Sequence, residues 1–266
     1  MKVFGRFDAA IDWTKQKMYD YCYEVHTERW QGKEIKEDDK FAMIEILNHS
    51  FSCHMTEDID VLVEQINPSI PWADDHFEER VSGFPLNPPP SHEWWPYAQK
   101  NNAEFGGTKK FSHTYPERIW PKYRNIRNDG IVIDDENPMR GIRFNYGDFN
   151  DVINLLHKEP LTRQAFLPIW FPEDTGGAGG ERVPCTLGYH FIMRHGYLHI
   201  NYYIRSCDFF RHFRDDIYLA CRKVIWTLEK LRDLDHKTWG EVKPGVFTMH
   251  ITSLHAFKHE KMLLKK

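Results

Sequence analysis

Apolar residues recur at Ile217, Ala220, Cys221, Val224, Ile225, Leu228 and Leu231, the three-and-four spacing of one buried helix face. Asp215, just ahead of them, reads as the N-cap. The stretch before it has a different character. Leu198 to Ile204 is dense in β-branched and aromatic residues and predicts a strand. A second strand precedes it, opened by Cys185 and joined to it by the short turn His195-Gly196. Upstream, Ala42 to Phe51 (AMIEILNHSF) reads as a strand, and Ile59 to Ile66 as a short amphipathic helix stopped by Asn67-Pro68. Asp74 to Val81 predicts a further helix that carries Glu78 and Glu79, and Gly147 to His157 another. Ile11 to Trp30 predicts a long packing helix rich in Tyr and Trp. Phe84 to Pro90 (FPLNPPP) cannot continue a helix and predicts a rigid surface loop, with Trp94 and Trp95 after it. Asp174 to Gly180 (DTGGAGG) reads as an insertion loop, because the lysine of a phosphate-cradling loop is absent and no helix follows directly.

Composition narrows the class. The chain has 266 residues with no internal repeat and no clear boundary, so residues 1–266 read as one domain. A net charge of −4 argues against a protein that coats nucleic acid. No apolar run is long enough to span a membrane, and the N-terminus lacks the basic-then-apolar form of a signal peptide. The five cysteines are scattered and odd in number, without CxxC spacing, which points to a reducing cytoplasm and no zinc site. His255-x-x-x-His259 alone is weak support for a metal, and none is expected.

The candidate chemistry sits at the ends of the predicted hairpin and helix. Pro184-Cys185-Thr186 opens one strand, Arg205-Ser206-Cys207-Asp208 closes the other, and Asp215-Asp216 opens the helix. Cys185, Arg205, Asp208 and Asp216 therefore fall where side chains converge on a cleft. Each has a bland reading: an inert core thiol, a structural ion pair, or a carboxylate that favours a helix N-terminus. Asp215 would serve as the simple cap, which leaves Asp216 for another role.

The order of these residues resembles the core of the thymidylate synthase family: Pro-Cys, a strand, Arg-Ser-x-Asp, then a polar residue opening a buried helix. Asp216 stands where the family has Asn, and Thr186 where synthases carry His. Both departures, with Phe213-Arg214-x-Asp216, are similar to the phage deoxycytidylate (dCMP) hydroxymethylases of that superfamily. The resemblance covers roughly residues 42–259. It implies a thymidylate-synthase-like α/β (α+β) fold, a mixed sheet flanked by helices, in a homodimer packed sheet to sheet. It also implies activity on a pyrimidine nucleoside monophosphate with 5,10-methylenetetrahydrofolate as co-substrate.

Residue roles follow from the same resemblance. Cys185 would be the nucleophile that adds to pyrimidine C6, so that C5 can attack a one-carbon unit. Arg205 and Ser206 would bind the phosphate, joined across the dimer by Arg163, with Gln164 replacing the family's second arginine. His255 would bind the sugar, although Phe257 stands where the family has Tyr. Asp208 would hydrogen-bond the pterin and Trp95 would wall it, with His212 in place of a family glycine. Tyr115 matches a cleft-facing Tyr, and Glu79, with Glu78 close behind, the water-ordering acid.

Asp216 would select the base. Cytosine offers an acceptor at N3 and a donor at its amino group, which a carboxyl group matches when one proton is shared. A mispaired base leaves buried polar groups unsatisfied at about 1–3 kcal/mol each. The expectation is hydroxymethylation of dCMP. Its alternatives are C5 methylation of a pyrimidine nucleotide, a CMP substrate, or a nucleotide-binding protein that has lost the chemistry.

Overall fold

The computed structural model describes residues 2–30, 33–35, 39–96, 111, 113–121, 147–176 and 183–265. Strand β1 (Lys2–Phe4) leads into helix α1 (Phe7–Tyr21). Next come β2 (Tyr23–Val25), the two-residue strands β3 (Arg29–Trp30) and β4 (Lys33–Glu34), and the long β5 (Met43–His54). Helices α2 (Ile59–Ile66), α3 (Trp72–Val81), α4 (Tyr115–Ile119) and α5 (Phe149–Lys158) follow. The last third holds β6 (Phe166–Pro168), β7 (Thr186–Arg194), β8 (Tyr197–Asp208), α6 (Phe213–Leu234), the short α7 (His236–Trp239) and β9 (Lys243–Phe257).

Seven strands form one open mixed sheet in the order β1-β5-β9-β8-β7-β6, with β2 also paired to β5, while β3 and β4 pair in a separate two-stranded sheet. β1 with β5 and β8 with β9 run parallel; the other neighbours are antiparallel. The fold is thus α+β, a mixed open sheet flanked by helices. Among the described residues no helix is long and apolar enough to cross a membrane.

The strand period of two builds the core. Along β8, Leu198, Ile200, Tyr202 and Ile204 are buried, while His199, Asn201, Tyr203 and Arg205 are half-buried on the other face. Helices cover the apolar face: Phe7 of α1 meets Phe247, Phe213 of α6 meets Phe51, and Phe149 of α5 meets Phe191, with ring centroids 5.7–5.9 Å apart. The opposite face is polar and aromatic. Tyr203 stacks on His250 at 4.9 Å, Ser50 hydrogen-bonds His250 at 3.2 Å, and Phe166 leans on Tyr203. The β7–β8 turn has positive φ at both His195 and Gly196, the two-residue geometry that matches strand twist.

Several boundaries differ from the sequence reading. The first helix covers Phe7–Tyr21 rather than 11–30; beyond Tyr21 the chain turns into short strands whose alternate residues the helical pattern absorbed. Helix α3 starts two residues earlier than expected, at Trp72. The α5 helix starts at Phe149, capped by a reciprocal Asp148–Asp151 box. Helix α2 keeps its expected bounds, closed by left-handed Asn67 at φ 52°. Asp215 is not the cap of α6. The N-cap is His212, and Asp215 lies inside the first turn, where it accepts the Ser69 backbone N–H at 2.7 Å. Of the 174–180 loop, residues 177–180 lie outside the described residues.

Candidate active site

The site begins at the β6–β7–β8 junction. Pairing of β7 with β8 is irregular between Thr186 and Gly188, and the Leu187 carbonyl accepts N–H groups from both Ile169 and Trp170. Gly188 permits the close strand approach: a Cβ there would lie 2.5 Å from the Phe166 ring and 2.8 Å from the Leu167 carbonyl oxygen. Cys185 sits on the ladder's rim. The Arg205 backbone N–H donates to the Cys185 carbonyl at 2.9 Å. The Arg205 guanidinium donates to the carbonyls of Pro184 (2.8 Å) and Val183 (3.0 Å), and its Nη2 stands 4.0 Å from Cys185 Sγ. Its Cζ also lies 5.7 Å from the centre of the Trp170 ring. A pinned cation beside a half-exposed thiol is the arrangement that favours a reactive thiolate. Cys53, Cys207 and Cys221 are buried. Burial pushes Cys53 up to about 12 and raises Cys207 and Cys221 well above the ordinary thiol value. Ser206 follows Arg205 on β8, half-buried.

Behind Cys185 lies a connected polar floor. Thr186 Oγ1 pairs with the Tyr202 hydroxyl at 2.9 Å and donates to the Tyr115 hydroxyl at 3.3 Å, while Tyr189 stacks on Tyr202 at 4.8 Å. Burial, with Cys185 and Asp216 nearby, keeps the Tyr115 phenol protonated by raising its pKa. The capping box of Thr114 and Glu117 fixes α4 so that Tyr115, its first residue, faces this cluster. Asp216 joins from the first turn of α6. Its Oδ2 accepts the Cys207 thiol at 3.6 Å, and burial pushes its pKa up to about 6, against the restraint of Arg80.

Helix α3 supplies the facing wall. Glu78 is exposed and pairs with Arg222, whereas Glu79 turns inward. Glu79 accepts the Ser91 backbone N–H and, at 2.5 Å, its hydroxyl; His76 Nδ1 lies 3.2 Å from the same carboxylate and 3.0 Å from Ser91 Oγ. Burial raises the Glu79 pKa and keeps His76 neutral. Trp72 stacks on His76 at 4.8 Å. Arg80, 4% exposed, lays its guanidinium 4.1 Å from the centre of the Tyr115 ring. His76, Ser91 and Arg80 were not among the candidates from sequence. Ser91 lies twelve residues from Glu79 across a proline-rich loop, and no local spacing signals that contact.

The remaining candidates sit apart or are otherwise engaged. Asp208 accepts the N–H groups of Phe210 and Arg211 at 3.0 Å each and the Arg211 guanidinium at 3.1 Å; Arg211 is tied in turn to Glu260. Asp208 is therefore a brace of the β8–α6 loop. Trp95 stacks on His212 at 5.0 Å, which covers one face of its ring. His255 lies opposite Asp208 and Glu45 in the sheet register, its pKa lowered by burial, and its carbonyl accepts the Phe209 N–H. Arg163 is exposed, and its carbonyl oxygen lies 3.0 Å from His190 Nε2. His190 is five strand residues from Cys185, about 17 Å away, so Arg163 does not share the Cys185 site of its own chain.

No protein-family model matches the chain, and no curated protein matches it in sequence. The functional reading therefore rests on the site. That site offers a thiol beside a fixed guanidinium, a carboxyl group that titrates near neutral pH, and a second inward acid held by a hydroxyl and an imidazole. Such a set suits covalent addition to an electron-poor ring with proton transfer at two points.

Proposed function

We propose that the protein is an enzyme that attacks C6 of a cytosine nucleotide through Cys185 and adds a hydroxymethyl group at C5, with dCMP as substrate. The observation that carries this reading is the junction of Cys185, Arg205 and protonatable Asp216 through Thr186, Tyr202 and Cys207. Thiolate addition forms the S–C6 bond and moves the C5–C6 π pair through the ring towards N3. A protonated Asp216 can give N3 its proton and accept from the amino group. C5 is then the nucleophile that bonds to an electrophilic one-carbon unit. Loss of the C5 proton expels the donor's amine from the transferred carbon and leaves an exocyclic methylene. Water adds to that carbon, and expulsion of the thiolate from C6, with return of the N3 proton, restores the aromatic ring. Glu79, positioned by Ser91 and His76, is the base proposed for the water step. Arg205 and Ser206 are proposed to hold the phosphate together with Arg163 of a second copy. The polar, aromatic sheet face and the remoteness of Arg163 from its own Cys185 support a thymidylate-synthase-like homodimer.

The proposed one-carbon donor is 5,10-methylenetetrahydrofolate. Two residues named for its pterin do not fit it as they stand. Asp208 is committed to the loop, and Trp95 is covered by His212. This mismatch favours, as a second reading, a nucleotide-binding protein on the same scaffold without the transfer step. Tritium release from C5-tritiated dCMP separates the two. Transfer of carbon to C5 must expel that label, and its retention in the presence of the folate would leave only the binding role.

A further inference from the structure

Two buried basic side chains lie beside Asp216 with donor groups left unpaired. Lys223 of α6 is fully buried, and its Nζ has no hydrogen-bond partner. It rests 4.9 Å from the Tyr189 ring centre and 5.9 Å from that of Phe77. Arg80 of α3 is nearly as deep, and its Nε is likewise a buried donor with no partner. Neither side chain forms an ion pair among the described residues. The ionisable groups around them are His76 and Glu79 on α3, Tyr115 on α4, Asp215 and Asp216 on α6, and Tyr189 on β7.

Packing alone is a poor reason for this pair. A guanidinium stays charged in any protein, and removing it from water without an acceptor is strongly unfavourable. A lysine beside it adds repulsion or must shed its proton, and burial does drive Lys223 towards the neutral amine. A methionine at position 223 would fill the same space between Phe77 and Tyr189 at no such cost. Buried donors without partners in a site of this kind mark a place where a ligand atom completes the set.

We propose that Arg80 and Lys223, set against the Tyr115 and Tyr189 rings, form a buried oxyanion subsite, which takes a negatively charged or carbonyl oxygen of the bound molecule. On the reading given above that oxygen belongs to the pyrimidine nucleotide, where thiolate addition builds negative charge; the subsite itself requires only the oxygen.

The test compares wild type with Lys223→Met and Arg80→Met. Melting temperature is measured without ligand, in sodium formate against sodium chloride at equal ionic strength, and with dCMP. Lys223→Met should melt no lower than wild type without ligand. Both variants should lose the extra stabilisation by formate, and their dCMP Kd should rise about tenfold or more, the scale of one lost charge-assisted hydrogen bond. Variants that melt lower without ligand yet respond to formate and dCMP as wild type does would make the cations structural and overturn the subsite. So would a wild type indifferent to both ligands. A wild type stabilised by formate through Lys223 but blind to dCMP would keep the subsite and remove the nucleotide reading.

Discussion

Asp216 is the residue on which the base reading turns. Its pKa is raised above the ordinary carboxyl value to about 6, so the native state holds a proton that the unfolded chain has released. The sign follows: its contribution to stability is fully present below about pH 4 and is lost as pH rises through 6. The loss is at most about 3 kcal/mol, and less because Asp216 is only partly shielded from solvent. Asp216→Asn should therefore flatten the fall in stability between pH 4 and 6 and leave the variant more stable than wild type at pH 8 by urea unfolding. The same variant should shift preference from dCMP towards dUMP. An unchanged substrate ratio would reduce Asp216 to a helix-end charge. Cys185→Ala should abolish turnover and keep nucleotide binding, while retained turnover would remove the covalent mechanism. The sequence pointed to both residues, since each stands at a strand or helix end in a distinctive order. It could not point to Arg80 or Lys223. A lysine inside the apolar stripe of α6 reads as a solvent-facing break, and its depth depends on α3 closing over it.

At the scale of elements, the hairpin β7–β8 and helix α6 were legible because period-two and three-and-four patterns run uninterrupted through them. Their junction was not. Asp215 looked like a cap because it precedes the apolar stripe. In the structure the Asp208 side chain orders the loop by accepting two of its N–H groups, the helix starts at Phe213, and Asp215 reaches Ser69, 146 residues away. Glu79 was separable from Glu78 only by its long-range partner Ser91. The pairing of β6 with β7 depends on the missing side chain at Gly188. Gly188→Ala would press a methyl group into Phe166 and the Leu167 carbonyl, and should cost about 1–3 kcal/mol by overpacking. Because Cys185 hangs from that irregular ladder, turnover should fall further than stability alone explains. A neutral effect on both would mean that the ladder yields freely.

For the whole molecule, the α+β class and the mixed sheet were expected from the resemblance carried by residues 184–218, but strand order was not read from the chain, since β9 inserts between β5 and β8 from the far end. The homodimer proposed from the exposed sheet face makes a strong demand on Arg163. Mixed Arg163→Ala and Cys185→Ala chains should recover activity that neither variant has alone, because one site of each mixed dimer regains both groups. No recovery on mixing, with subunit exchange shown by mass, would confine each site to one chain.

The most direct test of the central claim is the mass of the product. Purified protein is incubated with 5,10-methylenetetrahydrofolate and, separately, dCMP, CMP and dUMP. The expected product is dCMP heavier by one hydroxymethyl group, formed from dCMP alone and lost in Cys185→Ala. A methyl gain, or a product on dUMP in place of dCMP, would contradict the assignment of the water step or of the base. No product from a protein that binds dCMP would contradict the enzyme itself.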